Sequence, residues 1–272
     1  MRILLVGNGN LKHRGERYYD QCAKLFNGFV RNGHNVFFLS DRDVARSATF
    51  LKIKKIGIKY CNKYFIDVCK NFKPELILFY HADMINPESI FEARRILPNV
   101  KIAQFNVDII FNPHNIERIS SKLDYVDATF ITTAGTGLKK FSRPNKIVSF
   151  LPNIVDSSIE WPQCFKLENQ ENDMFWALRA LKNFREDDRR ISYPLYLQAN
   201  GVKIDFHGMK GKPLLYDARY FETITKSKMG LNLSQVWTRG NYNKAAEEDL
   251  YLYSSDRISH YMGSGLLTFT TT

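Results

Sequence analysis

The sequence predicts an α/β protein of two lobes, each built on a doubly wound parallel sheet, with the second lobe incomplete. Three observations lead there. Short apolar runs recur along the 272 residues, each followed by polar or glycine residues and then a helix-like segment. Several runs are continuously apolar rather than alternating, as strands covered on both faces require. The pattern pauses once, over the polar, Pro-containing stretch Trp161–Glu171, and then restarts. Strand–helix alternation with short links selects a doubly wound arrangement with right-handed crossovers. A length near two domains of about 150 residues agrees with it.

The first lobe, residues 1–160, opens on strand Arg2–Val6. A helix over Tyr18–Arg31 stops at Asn32-Gly33, a C-terminal signal. Strand Val36–Leu39 follows, then helix Cys61–Asn71 and strand Glu75–Phe79. Helix Pro87–Ile96 leads to strand Lys101–Phe105, helix Ile116–Leu123 to strand Ala128–Thr132, and Lys146–Leu151 is the sixth strand. In the second lobe, residues 161–272, strands are expected at Met174–Leu178, Lys203–His207, Gly230–Leu233 and Leu266–Thr270. Helices are expected at Tyr193–Asn200, Tyr220–Lys228 and Asp256–Met262. The lobe breaks off at a strand without a closing helix, which is why it reads as incomplete.

Composition narrows the function classes. An apolar content of 44% is ample for buried cores, so a mainly disordered chain is not expected. The formal charge of +11 favours anionic partners: nucleotide diphosphates, phosphorylated glycolipids, an acidic membrane face or nucleic acid. The basic residues are dispersed and no helix-turn-helix, zinc-finger or RNA-recognition pattern occurs, so nucleic acid is not an expected partner. Cys22, Cys61, Cys69 and Cys164 form no C-x-x-C pair and no zinc spacing; reduced, buried thiols and a cytoplasmic setting are expected. The opening Met1–Gly7 is too soon broken for a signal peptide, and no run approaches the roughly 20 apolar residues of a membrane span. Any membrane contact is therefore expected to be peripheral, at an anionic inner face.

Ligands of open parallel sheets bind beyond the carboxyl ends of the strands. After the first strand come Gly7, Asn8, Gly9 and Asn10, then Lys12, His13 and Arg14, where glycines admit a phosphate or sugar to the backbone and basic residues add charge. The spacing is not G-x-G-x-x-G, so a dinucleotide fingerprint is absent. After the third and fourth strands stand His81, Asp83 and Asp108; with His13 they are the candidates for a base that deprotonates an acceptor hydroxyl. Asp41-Arg42-Asp43 has a D-x-D form, better explained by loop solvation than by a cation, and no metal is expected. In the second lobe His207-Gly208 and Asn232-Leu233-Ser234 end strands. Ser255 and Asp256 open a helix whose N-terminus favours anions, with Arg257 placed to pair with a diphosphate. Tyr261 and Trp237 are candidates to stack on a base, although packing is the commoner role for such rings.

Three segments carry a resemblance. Phe29–Val36 resembles the end of the first helix and the second strand of GT-B glycosyltransferases, where a Gly-His pair precedes a strand. Phe150–Asp156 resembles their interlobe leucine-proline-asparagine…aspartate segment. Ser255–Leu267 resembles the donor-site helix of group 1-type transferases and the CgeB-like branch. The resemblance implies two facing Rossmann-like lobes, with acceptor on the first and donor on the second. It implies sugar transfer from a nucleotide diphosphate sugar to a glycan or glycolipid, usually without a metal and with no further cofactor. It makes Arg257 a diphosphate or helix-start residue, and Gly263 and Gly265 part of the donor wall. Two positions depart from the pattern. His260 stands where many relatives hold the ribose with Glu, and Ala177-Leu178-Arg179 stands where a Gly is usual, leaving Arg179 to serve the phosphates. A sugar-nucleotide epimerase, or a non-catalytic protein that binds a nucleotide sugar, are the alternative readings.

Overall fold

The computed structural model describes residues 1–178, 188–209, 211–234 and 253–271. They divide into two compact units, one of Met1–Pro152 with Tyr253, the other of the remaining described residues from Asn153. The division falls at Pro152, ahead of the stretch Trp161–Glu171 where the sequence suggests a linker.

The first unit carries a six-stranded, wholly parallel sheet in the order β2-β1-β3-β4-β5-β6. Its strands are β1 Arg2–Gly7, β2 Asn35–Ser40, β3 Leu76–Tyr80, β4 Lys101–Asn106, β5 Ala128–Ile131 and β6 Ile147–Phe150. Helices α1 Gln21–Arg31, α2 Asp41–Ser47, α3 Ile58–Phe72, α4 Pro87–Ile96 and α5 Pro113–Ser120 connect them. Leu4, Val6, Ile77, Phe79 and Ile102 of the sheet pack with Phe65 and Cys69 of α3 and with Ile90 and Ala93 of α4. Local chemistry sets the helix starts. The Asp20 carboxylate accepts the Cys22 N–H at 2.9 Å, which starts α1 later than the expected Tyr18. Asn86 caps α4, and Pro87 occupies its first turn, where the sequence places the helix start.

The second unit has a four-stranded parallel sheet, order β10-β9-β7-β8. Its elements are β7 Asn172–Ala177, α6 Arg189–Ala199, β8 Ile204–His207, α7 Ala218–Ile224, β9 Ser227–Leu233, α8 Asp256–Gly263 and β10 Leu267–Thr271. Met174, Trp176, Phe206 and Leu231 centre its core. Counted from each unit's own first strand, both sheets run second, first, third, fourth. The strand order therefore reverses at β1/β3 in one unit and at β7/β9 in the other.

Two expectations change. Asp41-Arg42-Asp43 is the first turn of α2 and not a solvated loop; Asp41 is fully buried because its carboxylate accepts the Met84 N–H at 3.0 Å. The helix expected over Tyr220–Lys228 ends at Ile224, and Ser227 already belongs to β9. All four cysteines are buried as free thiols. Among the described residues no helix is long and apolar enough to cross a membrane, and no cluster of acidic, His or Cys side chains could hold a metal ion.

Candidate active site

At the carboxyl edge of the first sheet the chain leaves β3 through two consecutive left-handed residues, His81 (φ 57°) and Ala82 (φ 49°). Neither is glycine, so the turn is strained, a property that concentrates at functional sites. The His81 N–H donates to Phe105 O of β4 at 3.2 Å. Its nearly buried ring lies 3.3 Å from Asn106 Oδ1 through Nδ1 and 3.8 Å from Asp108 Oδ2 through Nε2. Asp108 takes the Arg118 Nη2 donor at 2.7 Å on that same Oδ2, and its side chain is 50% exposed. Arg42 ion-pairs with Asp83, and Arg118 Nε stands 3.9 Å from the other Asp83 oxygen. β3, β4, α2 and α5 thus bring one histidine, two carboxylates and two guanidinium groups together.

Charge states follow from this packing. Burial, reinforced by the Arg118 charge, pushes the His81 pKa down to about 4, so the ring is neutral at pH 7. Burial pushes the Asp83 and Asp108 carboxyls up, but their basic neighbours outweigh it and hold both below the usual carboxylate range. At Asp41 burial outweighs the Met84 N–H bond and the Arg42 charge, and the carboxyl is raised. The fourth base candidate, His13, lies in a short 3-10 turn beside Glu16 (3.8 Å) and makes no hydrogen bond or ion pair with this group. The sequence does not single out Arg118 as a site residue; its signal is a basic residue beside Ile119, on the helix face that packs inward.

The loop after β1 is tied by its own side chains. The Gly9 N–H donates to Ser40 Oγ at 2.8 Å, Asn10 Nδ2 donates to Asp20 at 2.9 Å, and Asn8 Nδ2 donates to Asn10 Oδ1 at 2.6 Å. A Cβ on Gly7 would stand 2.5 Å from Cys22 Sγ, and one on Gly9 would stand 2.9 Å from Ser40 Oγ. These glycines therefore serve close packing against the protein itself. Lys12 and Arg14 are exposed beyond them.

In the second unit Arg257 occupies the point where the strand order reverses. Its Nη1 donates to Ala177 O at the end of β7 (3.2 Å), and its Nη2 donates to Leu233 O at the end of β9 (2.7 Å). The guanidinium lies 5.0 Å from the centre of the Trp176 ring, a cation–π contact. Ser255 stands at the N-cap of α8, yet no side chain caps that helix, because the Ser255 hydroxyl donates instead to Asn232 Oδ1 at 2.8 Å. Asn232 in turn donates to Thr270 Oγ1 at 3.0 Å. Asp256 is exposed in the first turn. Asn153 fixes the approach to the helix: its N–H donates to Ser254 Oγ and its Nδ2 to Ser254 O (3.1 and 2.7 Å). Ser234 is buried at the same edge, and its carbonyl accepts Arg189 Nε at 3.4 Å. His207 bonds Asp205 Oδ2 through Nε2 at 2.9 Å, while its buried Nδ1 has no hydrogen-bond partner among the described residues.

Four donor-site expectations come out differently. Gly208 is left-handed (φ 76°), and its missing side chain makes room for the Leu178 carbonyl rather than for a ligand. Gly263 and Gly265 end α8 just before β10 begins. Eight residues at 1.5 Å each carry them roughly 12 Å from the helix start, to the opposite edge of the sheet. There Gly263 packs on Val155 and Glu160, and Gly265 on Phe165, so neither walls a site at the strand ends. Tyr261 is fully buried, edge-on to Phe175 and against Gly230, and presents no face to a base. His260 is buried too and pairs with Glu160 at 2.7 Å, in place of a ligand contact. Arg179 and Trp237 lie outside the described residues.

No family model matches the chain, and no curated protein matches it. Among solved structures it is similar to MurG of Acinetobacter baumannii, at 8% identity and a TM-score of 0.43, over 99% of this chain and 86% of that one. It is also similar to the glycosyltransferase SnogD from Streptomyces nogalater, at 11% identity and a TM-score of 0.42, over 100% of this chain and 81% of that one. Likenesses at this level assign neither family nor activity.

Proposed function

We propose that the chain is a GT-B-type glycosyltransferase that moves a sugar from a nucleotide diphosphate sugar to a glycan or glycolipid hydroxyl. The observation that carries this reading is the carboxyl edge of the second sheet. An anion-favouring helix start without a side-chain cap and an arginine meet there at the strand-order reversal, the place where open α/β sheets bind ligands. Of the five N–H donors on Arg257, two are used on main-chain carbonyls, which fixes the plane of the group and leaves three for phosphate oxygens. Asp256 and His207 supply further polar contacts to the donor, and buried Asn232 holds the Ser255 hydroxyl at the helix start.

The first unit supplies the acceptor side. In the inverting mode Asp108 accepts the hydroxyl proton on Oδ1, the oxygen that Arg118 and His81 leave open, and the acceptor oxygen then bonds the anomeric carbon. The bond from that carbon to the diphosphate breaks, and the departing charge is met by Arg257 and the α8 N–H groups. Neutral His81 borders Asp108 as a positioning residue. No step needs a metal ion. The +11 charge suits a cytoplasmic enzyme in peripheral contact with an anionic membrane face.

Calorimetric titration of the protein with UDP, GDP, ADP, CMP and dTDP tests the donor half. Selective binding of one nucleotide, weakened at least about tenfold by Arg257→Lys, which keeps the charge but not the fork, supports it. Equal binding by the folded variant removes Arg257 from the site.

A further inference from the structure

A cavity of about 350 Å³ opens in the first unit between the β3–α4 connection and α5. One wall is apolar, from Ile58, Met84 and Pro87; the other is Asp83, Arg118 and Lys122. The Asn62 side chain makes the walls rigid: its Nδ2 donates to Ile58 O (2.8 Å) and Met84 O (2.7 Å), and its Oδ1 accepts the Asn86 N–H at 3.0 Å.

The charges here are not all paired. Asp83 is matched by Arg42, and Asp108 by Arg118. Lys122 is only 3% exposed, and among the described residues no carboxylate lies within ion-pair distance of it. A buried ammonium without a counter-ion is costly and rare. Beside it, Arg118 Nε, on a side chain only 7% exposed, is a buried donor with no hydrogen-bond partner among the described residues; Asp83 Oδ1 stands 3.9 Å away. Two cationic groups, Arg118 on α5 and Lys122 just beyond its end, therefore line one cavity, each with unused donor capacity among the described residues.

We propose that this cavity binds a small oxyanion group, a phosphate or a carboxylate, between Lys122 and Arg118. The inference rests on the first unit alone and holds whatever the second unit binds. Burial lowers the Lys122 pKa to about 8, opposed by the charges of Asp83 on the β3–α4 connection and Asp41 on α2, and assisted by Arg118 on α5. Glu117 and His114 also line the cavity and are exposed. An anion that pairs with Lys122 raises its pKa again, so binding takes up a proton once the free amine is neutral. Affinity is then full below pH 8 and falls by up to about tenfold per pH unit above it, until the pKa of the bound state is reached.

The test is calorimetry on the full chain with inorganic phosphate and with acetate at pH 7, and with sulfate, whose charge is constant, from pH 7 to 9.5. Binding at millimolar concentration is expected, weakened at least about tenfold by Lys122→Met, with sulfate affinity falling above pH 8. The stronger of phosphate and acetate names the group. Lys122→Gln substitutes if the Met variant does not fold, and the sulfate pH series needs no variant. Failure of all three anions to bind, unchanged affinity in a folded Lys122 variant, or a flat sulfate profile each overturns the proposal.

Discussion

Gly208→Ala probes the wall on which the second unit's site stands. Gly208 adopts φ 76°, where a side chain costs about 1–2 kcal/mol. Its new Cβ would also fall 1.8 Å from Leu178 O and 2.7 Å from Leu214 Cδ2. The first of these atoms is backbone and cannot swing away, so the strand end itself must shift, an overpacking cost of about 1–3 kcal/mol. The expected loss is therefore about 2–5 kcal/mol. Gly201→Ala is the control: its φ is 90°, but nothing lies within 4 Å of the added methyl, so only the backbone cost applies. Urea unfolding followed by circular dichroism and by the fluorescence of buried Trp176 measures both variants. Leu178 adjoins Ala177, whose carbonyl holds Arg257, so Gly208→Ala also loosens the guanidinium and weakens nucleotide binding. Equal losses for the two variants would refute the argument, because then the Leu178 contact carries no energy.

Two further outcomes follow from the first unit. Asp108→Asn lowers transfer by about 10²–10⁴-fold if that carboxylate is the base, and it also lowers stability because buried Arg118 loses its counter-charge; initial rates beside a melting curve check both. His81 is held neutral, with a folded pKa of about 4 against an unfolded value near 6.5. The unfolded chain thus binds more protons between these values, so this contribution to stability is complete above about pH 6.5 and is lost as pH falls toward 4. Urea midpoints at pH 7.5, 6 and 5 should drop less in His81→Gln than in the parent protein, and parallel slopes would contradict the assignment.

Much of the fold is legible from the chain. Runs such as Leu76–Tyr80 and Met174–Trp176 are apolar without alternation because parallel strands are covered on both faces, and this alone locates both sheets. Helix α4 is legible to the residue because its start signals, Asn86 and Pro87, act locally. Helix α2 is not, since Asp41 and Asp43 look like solvent-facing acids. Asp41 accepts the distant Met84 N–H, which no local pattern reveals, while Asp43 is held by its neighbours Ser40 and Arg46 as well as by the Leu11 N–H. The site divides in the same way. Arg257 was legible as the residue opening a helix after Ser-Ser-Asp, and it does stand at the strand ends. Gly263, Gly265 and Tyr261 share its helix, but sequence proximity is not spatial proximity: half of an eight-residue helix that leaves a sheet edge is already away from that edge. Lys122 was invisible as a site residue because a lysine flanked by Ser121 and Leu123 reads as a surface group until its burial is seen.

Release of nucleoside diphosphate from a panel of nucleotide diphosphate sugars decides whether the protein transfers sugar from a donor diphosphate held at Arg257. The reaction is run with and without mixed glycan and glycolipid acceptors and read by mass spectrometry. The account predicts release of one nucleoside diphosphate, a matching mass gain on an acceptor, and loss of both in folded Arg257→Lys and Asp108→Asn proteins. Binding of a nucleotide sugar without release or transfer under any acceptor condition would contradict it and leave a binding protein in its place.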